Sequence, residues 1–302
     1  MTSPPDSLLR RLEWHVLRRL DGRVQGAYRT VYLGAGLDFT GLREYTPEDD
    51  VRHIDWNVTA RLDEPYVRQY AEDRELTAWL VLDRSASMRC GGGSADGGSS
   101  GGGKESMLSE LAVCLGRLFT RTGNRVGAIL YDNGFRRIIP PRTGRGHIRY
   151  LANELSAPPV ADPDGRTTDL AAMLHLASAT VRRRGLVFVI SDFIGDGEWE
   201  PALIRLGQRH EVITVRIVAP VERALPDVGM ILLEDAETGE QVFADTGDPV
   251  FQRRLRTEVA TREHAIAGSM RRAGVATHLL GTDEDLTRAL IRMARGSGRR
   301  SI

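Results

Sequence analysis

The sequence has little cysteine, no excess of either charge and no long apolar run. Its two cysteines, Cys90 and Cys114, are far apart and form no CxxC pattern. That excludes a cysteine zinc site or a redox pair as the organising chemistry. The 41 Lys and Arg residues balance 41 Asp and Glu, and no long basic block occurs, so an electrostatic case for nucleic-acid binding is missing. No stretch approaches the ~20 apolar residues of a membrane helix. The opening MTSPPDSLLRRLEWHVLRRL contains no signal-peptide apolar segment, and the expectation is a cytoplasmic protein. The seven histidines never fall at i, i+4, so the helical zinc-pair motif is absent as well.

What is present is an alternation of short apolar runs and helix-period segments. The runs are Leu76–Leu82, Arg125–Tyr131, Leu186–Ser191, Glu211–Val218 and Val275–Leu280. Most are nearly continuous in apolar character, the pattern of strands buried on both faces of a parallel sheet. Helical periodicity falls over Glu105–Thr120, Asp169–Arg183, Pro201–Arg209, Asp248–Arg272 and Glu284–Arg295. The predicted fold is α/β: a doubly wound, mostly parallel sheet with helices on both faces. Three regions stand outside it. Residues 1–75 hold an amphipathic first helix and a charged, aromatic segment. Residues 89–104, RCGGGSADGGSSGGGK, compose a flexible loop. Residues 229–245 read as a hairpin turning at Glu237-Thr238-Gly239-Glu240.

The chemistry gathers at predicted strand ends, where ligands of open α/β sheets bind. LVLDRSASM ends an apolar run in Asp83 and follows it with Ser85 and Ser87. VISDFIG ends another in Asp192. GRTTDLAAML places Thr167 and Thr168 in the loop before that strand. Hydroxyls with two carboxylates are hard oxygen donors, the set a Mg²⁺ ion takes while keeping several waters. Each residue also has a local reading: Asp is common after a strand, and Thr168 before Asp169 reads as an N-cap. Other chemistries fit less well. Ser85 is not in a GxSxG elbow. A dehalogenase-like phosphotransferase would need a second Asp where Ser85 stands. Gly98–Lys104, GSSGGGK, matches the P-loop spacing, but Glu105 replaces the Ser or Thr that such a loop needs.

Asp83-Arg84-Ser85-Ala86-Ser87 resembles the DxSxS motif of the von Willebrand factor type A fold. Thr168, with Thr167 as the alternative, and Asp192 stand where the metal-ion-dependent adhesion site of that fold takes its threonine and second aspartate. The resemblance implies that Ser85, Ser87 and the threonine contact a Mg²⁺ ion, with Mn²⁺ as the alternative. It implies that Asp83 and Asp192 act mostly through water. LREYTPEDDVRHIDWNVTAR, followed by VRQYAEDREL, resembles the signature of domain-of-unknown-function family 58, in which such a segment precedes a type A domain. The implied organisation is a family-specific segment over 1–75, a type A domain over 76–295 with a hairpin insertion at 222–250, and a tail at 296–302. The family resemblance further implies a non-enzymatic adaptor or co-chaperone for a MoxR-type AAA+ ATPase, of the short type without membrane helices. A metal-dependent hydrolase reusing the same strand edge is the alternative, although no general base is evident.

The N-terminal segment is dense in residues that make interface hot spots, among them Arg43, Tyr45, Asp50 and Trp56. They are candidates for partner binding. The competing expectation is a packed strap with Trp56 buried and the Arg and Asp residues paired.

Overall fold

The computed structural model describes residues 37–46, 49–51, 54–62, 64–72, 76–89, 103–121, 123–132, 135–157, 168–195, 198–235 and 239–296. The expected first amphipathic helix, most of the Gly-rich loop, Thr167 and the tail beyond 296 lie outside them. The chain divides into two compact units, one over Leu20–Glu75 and the other holding everything from Leu76 onward.

In the first unit, strand β1 (Leu37–Glu44), helix α1 (Trp56–Leu62) and strand β2 (Tyr66–Glu72) follow in order. The strands pair antiparallel, with a register shift between Phe39 and Gly41. Asp55 caps α1, its Oδ1 accepting from the backbone N–H groups of Asn57 at 3.1 Å and Val58 at 3.3 Å. Arg43 pairs with Asp49, as the packed-strap reading expects. The guanidinium and the Thr46 N–H and hydroxyl hold the Asp49 carboxyl below its usual range. Trp56 corrects that reading, being 68% exposed rather than buried. The physical reason is the cap. Asp55 turns inward and is only 8% exposed, and the next residue along a helix points about 100° away from it.

The second unit contains β3 (Thr77–Asp83), a helical turn at Ala86–Arg89, α2 (Lys104–Arg121), β4 (Arg125–Asp132), β5 (Phe135–Arg142) and α3 (Arg145–Ser156). It continues with α4 (Leu170–Thr180), β6 (Leu186–Ser191), α5 (Glu200–Arg209), β7 (Glu211–Val218), β8 (Met230–Glu234) and β9 (Gln241–Asp245). It ends with α6 (Pro249–Ala273), β10 (Ala276–Gly281) and α7 (Leu286–Gly296). Six strands form one sheet in the order β10-β7-β6-β3-β4-β5. All neighbours are parallel except β4 and β5. The chain starts at β3 and adds strands on both sides, so the sheet is doubly wound and mostly parallel. β8 and β9 form the separate antiparallel hairpin expected near residue 237.

The apolar runs become strands because both of their faces are covered. On one face Trp79, Val81, Val187 and Val189 pack with Leu170, Met173, Leu203, Leu206, Ile266 and Met270 from α4, α5 and α6. The alternate residues Leu80 and Leu82 are also fully buried. On the other face α2 brings Phe119 to within 5.7 Å of Phe188, centroid to centroid. Each such large side chain contributes roughly 1.5–3 kcal/mol by leaving water. Helix limits follow local chemistry. Asp248 caps α6 by accepting from Val250 N–H at 2.8 Å, Pro249 opens it, and Gly274 at φ 65° closes it.

In the second unit, β5 and α3 have no counterpart in the sequence reading. β5 carries FRRIIPPR and α3 follows it. Charge and two prolines hide a strand in which, among the described side chains, only Ile139 is buried, which an edge position tolerates. The helix expected over Asp169–Arg183 ends at Thr180, where Val181 takes an extended conformation.

His210, at the end of α5, is 4% exposed. Burial first, then Arg209 and Arg184, holds its pKa below the usual value. The unfolded chain therefore binds the proton more readily. The stability held by a neutral His210 is complete above the unfolded pKa of about 6.5 and is lost as pH falls below it. His210→Gln is expected to flatten the stability profile between about pH 7 and pH 5, read by urea denaturation. An unchanged profile would remove His210 as the cause.

Candidate metal centre

β3 and β6 are neighbours in register, Leu82 opposite Ile190. Their carboxyl ends therefore deliver Asp83 and Asp192 to one edge of the sheet. Both aspartates are fully buried. Asp83 Oδ1 accepts from Ser85 N–H at 3.0 Å, and Oδ2 accepts from the Ser191 hydroxyl at 2.6 Å. The hydroxyls of Ser85 and Ser87 lie 3.0 Å apart. Asp192 Oδ1 accepts from Ile194 N–H at 3.0 Å. The DxSxS spacing thus folds into a turn that keeps its oxygens together, and a short helical turn starts at Ala86.

Thr168 joins the same edge through its backbone. A Cβ on Gly195 would come within 2.6 Å of the Thr168 carbonyl oxygen, so glycine lets the loop after Asp192 lie directly on the threonine loop. Thr168 is 1% exposed. It is not the N-cap of α4. Asp169 takes that place, accepting from Ala172 N–H at 2.8 Å. The cap thus belongs to the residue beside the threonine.

Electrostatics set the character of the site. Burial, reinforced by Asp192, pushes the Asp83 pKa up to about 7, against the hydrogen bonds from Ser191 and Ser85. Two carboxylates this close call for a positive charge. One is already present. Lys104, the first residue of α2 and 1% exposed, donates to Asp192 Oδ2 at 2.7 Å and also pairs with Glu222. Burial lowers its pKa, but Asp192 and Glu222 outweigh burial and raise it, so the ammonium stays charged. Glu222 is fixed in turn, its Oε2 accepting from Ala219 N–H at 3.1 Å. Behind the site, Arg216 donates Nε–H to the Asp192 carbonyl at 2.9 Å and makes a bidentate pair with Glu263.

Sequence reasoning overlooked Lys104, Glu222, Ser191 and Arg216. Lys104 stood in view as the end of the P-loop look-alike. Its burial among carboxylates removes it from any phosphate, and only the folded contact to a residue 88 positions away reveals its partner. Arg84, the variable position of the DxSxS run, is also buried. It holds Glu105 at 2.6 Å and the carbonyls of Glu154 and Ala157 at the end of α3.

The N-terminal candidates are placed in the first unit. Arg43 is engaged with Asp49, Tyr45 N–H donates to Pro65 at 2.7 Å, and Asp50 and Trp56 are exposed.

The chain matches the model of the family described as "Protein of unknown function DUF58" over residues 41–265. It belongs to the DUF58 family. The uncharacterized protein Rv1480 of Mycobacterium tuberculosis is 34% identical over 294 residues, covering 97% of this chain and 90% of its own. The uncharacterized protein MAV169 of Mycobacterium avium is 31% identical over 168 residues, 54% of this chain and 96% of its own. Among solved structures, a conserved hypothetical protein BatB from Bacteroides thetaiotaomicron matches with a TM-score of 0.43 and 15% identity, over 73% of this DUF58 chain and 99% of that one. An aerotolerance-related membrane protein from Bacteroides fragilis matches with a TM-score of 0.45 and 14% identity, over 73% of this chain and 99% of its own. At these TM-scores neither likeness carries weight for fold or function. Among the described residues, no helix is long and apolar enough to cross a membrane.

The donor set was tested against a divalent cation. Among the described residues no group of three or more His, Cys, Asp or Glu side chains is placed to hold a metal. Two buried carboxylates with adjacent hydroxyls instead suit a hard cation that keeps part of its water. The residues fit such an ion, and Lys104 already contacts one of the two carboxylates.

Proposed function

We propose that this DUF58 chain is a non-enzymatic, metal-dependent protein-binding module of the von Willebrand factor type A kind. Asp83, Ser85, Ser87, Thr168 and Asp192 would hold a Mg²⁺ ion, or Mn²⁺ in its place. Bound there, the ion supplies a Lewis-acidic position for a partner's carboxylate. The family resemblance suggests the partner class, a MoxR-type AAA+ ATPase served by an adaptor or co-chaperone.

The observation that carries this reading is the buried pair Asp83 and Asp192 beside the Ser85 and Ser87 hydroxyls at one sheet edge. Lys104 balances Asp192 alone, and a second buried carboxylate beside it is costly without a further cation. Ser85 and Ser87 are neutral donors, and a shell rich in neutral donors leaves a bound ion electrophilic. A second surface supports protein binding. Leu232 and Phe243 face each other across the hairpin and are 48% and 73% exposed, and Met230 on the same face is 68% exposed. Exposed apolar patches of this kind mark interaction sites. No observation favours the hydrolase alternative. The Glu222 carboxylate beside the site is occupied by Lys104 and the Ala219 N–H.

The test is capture by an immobilised MoxR-type ATPase with Mg²⁺ or with EDTA. Binding in Mg²⁺ that falls at least roughly tenfold in EDTA, more than 1.4 kcal/mol, is expected. Equal binding in both would contradict the proposal.

A further inference from the structure

We infer that Lys104 is a tethered internal cation competing with the divalent ion for Asp192, and that Glu222 biases the competition by retaining the ammonium when the ion binds. The inference rests on the reading of Asp83 and Asp192 as a metal centre. It concerns Lys104 and the two carboxylates that its ammonium touches.

Asp192 has both oxygens engaged. Oδ1 accepts from Ile194 N–H, and Oδ2 accepts from Lys104 at 2.7 Å. An incoming ion, or its water, that takes Oδ2 shares it with the ammonium or displaces it. The ammonium has somewhere to go. Glu222 already binds it, and the Ala219 N–H fixes that carboxylate on the turn after β7. A lysine has a flexible four-carbon stem and three rotatable donors, so it can shift between two carboxylates without losing both. The pairs differ in setting. Asp192 is fully buried, whereas the Glu222 side chain is 21% exposed. With the ammonium drawn to the more solvated partner, the buried acid is free for a stronger cation. Without a divalent ion, Lys104 neutralises one buried carboxylate, so the chain can fold before it is loaded.

The two ends of this device predict opposite effects. Lys104→Met keeps the stem and removes the charge. Like charges no longer oppose the ion, and Mg²⁺ should bind about tenfold or more tightly. Glu222→Gln leaves the ammonium wholly on Asp192, and Mg²⁺ should bind several-fold more weakly. A merely structural role for the trio would weaken binding in both variants.

The experiment is calorimetric titration of wild type, Lys104→Met and Glu222→Gln with MgCl₂ alone, repeated with MnCl₂. Tighter binding in Lys104→Met with weaker binding in Glu222→Gln supports the inference. Wild-type binding that Lys104→Met leaves unchanged or weakens overturns it while sparing the metal centre. If none of the three binds, the metal centre fails and the inference with it. Should Lys104→Met not fold, Glu222→Gln decides alone, and binding equal to or tighter than wild type there overturns the inference.

Discussion

Replacing Asp192 with alanine is expected to destabilise the protein by about 3–5 kcal/mol, measured by urea denaturation without divalent cations. The reason is the partner left behind. Lys104 and Asp192 are buried to 1% and 0% exposure, so solvent cannot take over when the carboxylate is removed. Glu222 would keep the ammonium, but from the outer side only. Burying a charge without its full complement costs more than the pair contributes when intact. The Ile194 N–H would also lose its acceptor, which adds the desolvation of a buried donor. A loss under about 1 kcal/mol would show that water reaches Lys104 and that the site is far more open than its geometry indicates.

The second large effect is at Gly195. Alanine there would place a Cβ within 2.6 Å of the Thr168 carbonyl oxygen. The obstacle is backbone, not the mobile end of a side chain, so one of the two loops must move. We expect Gly195→Ala to cost about 1–3 kcal/mol. A second consequence follows for cation binding, because Thr168 and Asp192 sit on the two loops pushed apart. The variant should remain folded and bind Mg²⁺ at least roughly tenfold more weakly than wild type. Thermal denaturation and calorimetry on the same sample read both quantities. Unchanged affinity would remove Thr168 from the ligand set and leave the serines and aspartates to hold the ion.

Much of this was legible in the sequence, for a physical reason. A strand buried on both faces must be apolar at nearly every position, so β3, β6 and β7 announce themselves within a residue or so of their limits. The same logic places Asp83 and Asp192, since a polar residue ending such a run must emerge at the sheet edge. Elements that satisfy weaker constraints left no such trace. β5 lies on the edge and tolerates charge and proline. Trp56 was expected inside, but aromatic character says nothing of which way a capped helix turns its first residue. The polar partners of the site were least legible. Lys104 meets Asp192 and Glu222 across 88 and 118 positions, and no local pattern encodes a contact at that range. Thr168 beside Asp169 shows the opposite failure: the local capping rule applied, but to the neighbouring residue.

The proposed function requires that Asp83 and its neighbours hold a divalent cation. Calorimetric titration of Mg²⁺ and Mn²⁺ into wild type and Asp83→Ala tests this most directly. Saturable binding to wild type, absent from a folded Asp83→Ala, is expected. Equal binding to both proteins, or none to wild type at millimolar concentrations of either ion, would contradict it.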